Sequence, residues 1–224
     1  MTNNGKSGSG FAALEDTSNT SDTSTATTYT PSKALTAQLE RLEGDLTLWT
    51  GARVHTRPIR PDDTKRLQDF HSRLSMDSIV LRFFRYVPEL SDADAQRFTH
   101  VDYDNRMALV ATEGESADAH ILGVVRYDRI SPDMAEVAFV VADQWQGRGV
   151  ATALLLRLAA YARARGMTRF QAITMATNEK MLGMLRHSGY PYSSRYTSGE
   201  YEVTLDISAP AAREETALSQ RAGG

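Results

Sequence analysis

Val137-Ala138-Phe139-Val140-Val141 leads, after four linking residues, into Gln146-Gly147-Arg148-Gly149-Val150-Ala151, and a helical pattern then runs to Gly166. The first five residues are apolar without alternation, the pattern of a central strand buried on both faces. Glycines 147 and 149 let backbone amides converge without side-chain obstruction. A helix starting at Val150 adds N–H groups that lack intrahelical partners, together with the positive end of its dipole. Strand, glycine turn and helix N-terminus make a cradle suited to a pyrophosphate. Arg148 adds a charge-assisted contact to a phosphate. A bare Gly-x-Gly is as well explained by a plain strand-to-helix turn; the buried strand before it and the helix after it favour a ligand. A dinucleotide site is the rival. It needs a third glycine, where position 152 is Thr, and it belongs early in a parallel unit.

Outward from the loop, Arg106–Thr112, Ile121–Asp128 and Met134–Ala142 read as a three-strand meander. A long helix over Val150–Arg165 ends at Gly166. A strand follows over Phe170–Thr174, then a helix from Asn178 to His187, then strands at Tyr192–Tyr196 and Tyr201–Ile207. Upstream, Leu46, Leu48, Val54, Thr56 and Ile59 suggest paired strands around Gly51, and Asp62 is placed to cap a helix carrying Leu67, Phe70 and Leu74. Ser91 with Asp94 resembles a capping box. The fold class is α/β, a mixed and mainly antiparallel sheet flanked by helices. Residues 1–32 are rich in Ser and Thr and read as a disordered tail; 33–45 hold a short helix, 46–207 the main domain, and 208–224 a polar tail.

The 224 residues are 41% hydrophobic, enough for a core, and the net charge of −3 offers no basic surface for nucleic acid. The chain has no cysteine, which excludes disulfides and a thiol nucleophile and fits a reducing cytoplasm. No apolar run approaches the roughly 20 residues that span a bilayer, and no secretory leader is recognisable. The five histidines show no metal-ligand spacing, so no metal is expected.

Gln146, Gly149 and Ala151 fit the coenzyme signature of the GNAT superfamily of N-acetyltransferases, and the chain resembles that superfamily from about residue 46 to 207. Within it, the chain is similar to bacterial protein-lysine acetyltransferases that modify acyl-CoA synthetases. The stretches that carry this are Arg57-Pro58-Ile59-Arg60-Pro61-Asp62-Asp63, Leu81-Arg82-Phe83-Phe84, Asp102-Tyr103-Asp104 with Met107–Ala111, and Ala135–Val141. The resemblance implies acetyl-CoA as co-substrate. Its pantetheine arm would pair with the backbone of Phe139, Val140 and Val141 as an added strand. Its pyrophosphate would sit on the amides of Gln146, Gly147, Arg148, Gly149, Val150, Ala151 and Thr152. Asn178 is either a contact to the coenzyme arm or a plain helix cap.

The same resemblance makes Glu136 the general base. A lysine amine, with a reference pKa of about 10.4, is mostly protonated at neutral pH and must lose a proton before it attacks. Partial burial would raise the Glu136 pKa toward the working pH; otherwise Glu136 is an ordinary strand-end carboxylate. Many GNAT enzymes carry an acidic Tyr seven residues after the Asn. Here that position is Leu185, a gap the protein-lysine branch shares. The expected function is acetylation of a protein lysine, with an acyl-CoA synthetase as partner. The alternatives are a small-molecule amine acetyltransferase and a non-catalytic acetyl-CoA sensor. Sequence leaves the oligomeric state open.

Overall fold

A computed structural model describes residues 33–116, 119–212 and 214. The expected Ser/Thr-rich tail, residues 1–32, lies outside the described residues, as do residues 215–224. The helix α1 spans Lys33–Glu40 and is followed by strands β1, Gly44–Thr47, and β2, Arg53–Pro58. Three short helices come next: α2, Thr64–Ser72; α3, Met76–Phe83; and α4, Asp92–Thr99. The meander is β3, Arg106–Thr112; β4, Ile121–Ser131; and β5, Met134–Val141. Helix α5, Val150–Arg163, leads to β6, Arg169–Met175; α6, Glu179–Arg186; β7, Tyr192–Thr197; and β8, Glu200–Asp206.

The strands form one sheet in the order β1-β2-β3-β4-β5-β6-β8-β7. Every pairing is antiparallel except β5 with β6. This is the mixed, mainly antiparallel sheet that the strand pattern predicted. Alternation sorts the side chains onto two faces. On β4, a Cβ at Gly123 would touch Val150 of α5, whereas the Arg126 guanidinium lies 4.5 Å from the Phe98 ring of α4. So α5 covers one face, and α2, α3 and α4 cover the other. Leu154, Leu155 and Leu158 carry the α5 side, with Tyr127 and Phe170 on the sheet beneath. Phe70, Ile79, Phe83 and Phe98 carry the opposite side.

Local chemistry sets the helix ends. The Ser91 hydroxyl caps α4, accepting from Asp94 N–H at 3.1 Å, and it donates to the Asp94 carboxylate at 2.6 Å, a bond between side chains in place of the reciprocal backbone bond of a capping box. Asp62, expected to cap the second helix, is instead exposed at the surface. A 3-10 turn over Pro61–Asp63 makes Asp63 the residue before α2, and its side chain makes no capping bond to that helix. That carboxylate is fully buried and grips Arg57 through two bonds of 2.6 and 2.7 Å, and it accepts from Arg60 N–H at 2.8 Å. Asp63→Ala would leave the Arg57 charge buried beside a void. A loss of about 3–5 kcal/mol is expected on that mechanism, read as a shift in urea midpoint at constant slope. A change below about 1 kcal/mol would show that water reaches Arg57.

Residues 208–224 were expected as a polar tail. Of the described part, Ser208–Pro210 and Ala212 are exposed, but Ala211 and Glu214 are buried, and Glu214 pairs with Arg163 and accepts from the Tyr190 hydroxyl at 2.7 Å.

Candidate active site

The loop after β5 turns through two left-handed glycines. Gly147 sits at φ +71° and Gly149 at φ +96°, where L side chains are strained. The α5 helix starts at once, and its first internal bond is Ala153 N–H to Gly149 C=O. The amides of Val150, Ala151 and Thr152 are therefore left without intrahelical acceptors. The two glycines differ in their surroundings. A Cβ at Gly147 would meet nothing within 4 Å, whereas one at Gly149 would lie 2.6 Å from Cδ1 of the Trp49 indole. The Arg148 guanidinium rests 5.2 Å from the Trp145 ring. The Gln146 amide donates to the Ser78 hydroxyl at 2.9 Å and to Val141 C=O at 3.2 Å, and it accepts from Lys180 at 2.9 Å.

Beside this loop the sheet opens. Parallel pairing joins β5 to β6 only over Met134–Glu136 and Arg169–Gln171. From Val137 onward β6 diverges, while β4 stays paired to β5 as far as Val141. The far edge of Phe139, Val140 and Val141 thus has no neighbouring strand. The apolar run predicted burial on both faces, but Ala138, Val140 and Val141 are only half-buried. The departure of β6 is the reason.

Glu136 is the last β5 residue held by β6, at the apex of the fork, and it is 6% exposed. That exceeds the partial burial expected. It shares the α3 face with Ala138 and Val140, and Asp128 lies opposite it on β4. Arg82 of α3 is close enough to feel Glu136 and Asp128. Burial pulls the Arg82 pKa down to about 10 against the attraction of those two carboxylates. Burial likewise takes Arg126 down to about 9, with Asp128 opposing and Arg82 adding repulsion. Burial raises Asp128, while Arg126 draws it down. At neutral pH both arginines stay charged. A pocket between this face and the helices is lined by Phe70, Arg82, Phe98, Arg126, Ala138 and Val140.

The family model described as the acetyltransferase (GNAT) domain matches residues 53–191, which contain the fork and the loop. The chain belongs to the GNAT acetyltransferase family. It is an acyl-CoA-dependent N-acetyltransferase by that membership. It is 31% identical over 132 residues to acetyltransferase PA5475 of Pseudomonas aeruginosa, covering 58% of this chain and 71% of that protein. It is 31% identical over 142 residues to acetyltransferase Pat of Mycolicibacterium smegmatis, covering 62% of this chain but 42% of the relative. Among solved structures, the GNAT domain of S. lividans PAT has 39% identity and a TM-score of 0.68, over 74% of this chain and 97% of that one. These relatives bring the chain close to the bacterial protein acetyltransferases.

Within this GNAT domain, Asn178 forms the N-cap of α6, its oxygen accepting from Met181 N–H at 3.2 Å. Leu185 is fully buried in the core. In the Asp102-Tyr103-Asp104 stretch, Tyr103 is buried and donates to Ile59 C=O at 2.9 Å, while Asp102 closes the turn through the amides of Asp104 and Arg106.

Sequence reasoning missed the polar lattice that ties α3 to the loop. Asp143 accepts from Ser75 N–H at 2.9 Å and from the Ser75 and Ser78 hydroxyls at 2.7 Å each. Nothing in the spacing marks this contact across 65 to 68 residues. It also passed over Arg126 and Asp128, whose alternate positions in an apolar strand were a usable signal. His55, Asp45 and Glu115 converge with ligand-type atoms within 4.8 Å of one another, a grouping their sequence separation conceals. Its shortest contact is the 3.0 Å bond from His55 Nδ1 to Asp45.

Proposed function

We propose that the chain moves an acetyl group from acetyl-CoA to a lysine side-chain amine of a protein, with an acyl-CoA synthetase as acceptor and Glu136 as general base. The observation that carries this is the position of Glu136 at the apex of the fork, ten residues before the glycine loop. Acetyl-CoA supplies the acyl group as a thioester. The open edge of Phe139, Val140 and Val141 offers backbone groups to an extended amide-bearing arm, as a sheet edge accepts another strand. The amides of Gln146, Gly147, Arg148, Gly149, Val150, Ala151 and Thr152 suit a pyrophosphate. Asn178, at the start of α6, borders the same opening; its capping bond leaves the side-chain amide nitrogen to reach the arm.

On the other face, Glu136 takes the proton from the attacking amine. Arg82 and Arg126 disfavour a second cation beside them, which favours the neutral, nucleophilic form of an acceptor lysine. A backbone N–H from the open Val140-Val141 edge serves the oxyanion that develops on the carbonyl. With Leu185 in the core, α6 offers no Tyr at that position to protonate the leaving thiolate. A thiol pKa near 8.5 makes that group able to depart without one. The protein acceptor is favoured by the likeness to the PAT domain.

The test incubates purified protein and acetyl-CoA with an acyl-CoA synthetase and, separately, with amino acids and polyamines, and locates acetyl-lysine by mass spectrometry. Acetyl-lysine on the synthetase is the expected result. Turnover of free amines with an unmodified synthetase would replace the protein acceptor by a small one. Coenzyme binding without turnover on any acceptor would make the chain a sensor.

A further inference from the structure

The turn between β1 and β2 presents an indole to the coenzyme loop. Trp49 is 78% exposed, the most exposed large apolar side chain among the described residues. Its backbone is nonetheless well fixed. Leu46 and Leu48 are buried beside it, Leu48 N–H donates to Ala52 C=O at 2.8 Å, and Gly51 N–H donates to Leu48 C=O at 2.8 Å. A side chain held out to solvent by an anchored turn is placed, not merely loose. The edge of the indole lies against Gly149: Cδ1 and Nε1 are 2.6 and 3.0 Å from the point a Cβ would occupy. Only a glycine lets the ring come so close to the amide cradle. The chain's other tryptophan, Trp145, supports Arg148 on the same loop, so both indoles border one site.

Direction decides what Trp49 meets. The fork between β5 and β6 receives the pantetheine arm on one side of the loop. Trp49 reaches the loop from β1 and β2, which lie on the other side of β4 and β3 in the sheet. A coenzyme whose arm fills the fork and whose pyrophosphate fills the cradle carries its adenosine out beyond the loop. Every base has a π face, and stacking on an exposed aromatic ring is a recurrent way to hold one.

We propose that Trp49 is the adenine platform of this enzyme, a donor-affinity residue supplied by the β1–β2 turn. It rests on the coenzyme placement given above. Binding of CoA and of 4′-phosphopantetheine, which lacks the adenosine, is measured on the full chain for the wild type, Trp49→Phe and Trp49→Ala. Trp49→Ala is expected to weaken CoA about tenfold and Trp49→Phe only slightly, with phosphopantetheine unchanged in both. In a Trp145→Phe background, CoA but not phosphopantetheine should quench the remaining indole fluorescence. Unchanged CoA affinity in Trp49→Ala would overturn the proposal. So would an equal loss for both ligands, which would make Trp49 a brace for the loop. If the wild type bound no CoA, the placement of the donor itself would fall, and the platform with it.

Discussion

Gly149→Glu is expected to lower affinity for acetyl-CoA more than about a hundredfold, or about 2.7 kcal/mol, in a protein that remains folded. Three costs act together. The residue sits at φ +96°, where any Cβ is strained by about 1–2 kcal/mol. That Cβ would lie 2.6 Å from the Trp49 indole, so the turn or the loop must give way. The new carboxylate would then face a dianionic pyrophosphate in the cradle. Gly147→Ala is the matched control. Its φ of +71° imposes a similar strain, but no atom lies within 4 Å of the new methyl. Calorimetric titration should give a modest loss for Gly147→Ala and none of the collapse seen at 149. Equal affinities for Gly149→Glu and wild type would remove the loop from the donor site.

Glu136→Gln should cut kcat by about 10²–10⁴-fold, the range general-base catalysis supplies, while the Kd for CoA stays within about twofold. The amide keeps the shape of the side chain and cannot take the proton. The proposed donor contacts are the open edge of Phe139–Val141 and the cradle amides, none of which the substitution alters. In the wild type, the rate falls on the acid side as the base protonates. In Glu136→Gln that limb should disappear, leaving only the rise set by deprotonation of the amine itself. Arg82 loses a compensating charge in this variant, so a melting curve belongs beside the kinetics. Lost CoA binding in a folded Glu136→Gln protein would sink the assigned role.

Much of the fold could be read from local patterning. The meander, α5 and the last two strands appear within a residue or three of their expected limits. Apolar alternation and end signals are local, and they survive folding unchanged. What sequence could not show depends on which strands part company. The run Val137–Val141 reads as fully buried because its composition is, yet β6 leaves after Gln171 and opens one edge. That edge is the most informative part of the site. Asp62 and Asp63 are adjacent carboxylates with equal capping propensity, yet the second turns inward to Arg57 and neither side chain caps α2. Trp49 and Gly149, like Ser75 and Asp143, meet across long separations where no period connects them.

The alternation of β5 has a consequence for how such a chain can vary in length. Glu136 faces the arginines only because an odd number of residues separates it from Val140 and because β4 holds both in register. One residue inserted between Glu136 and the loop, with the loop end held fixed, would turn the carboxylate toward α5. There it would lie among leucines, away from Arg82 and Arg126. Two inserted residues would restore the face but lengthen the distance to the cradle by about 7 Å. The strand is therefore a ruler that tolerates no indel, whereas the β3–β4 hairpin beyond Thr112 can absorb added residues at little cost.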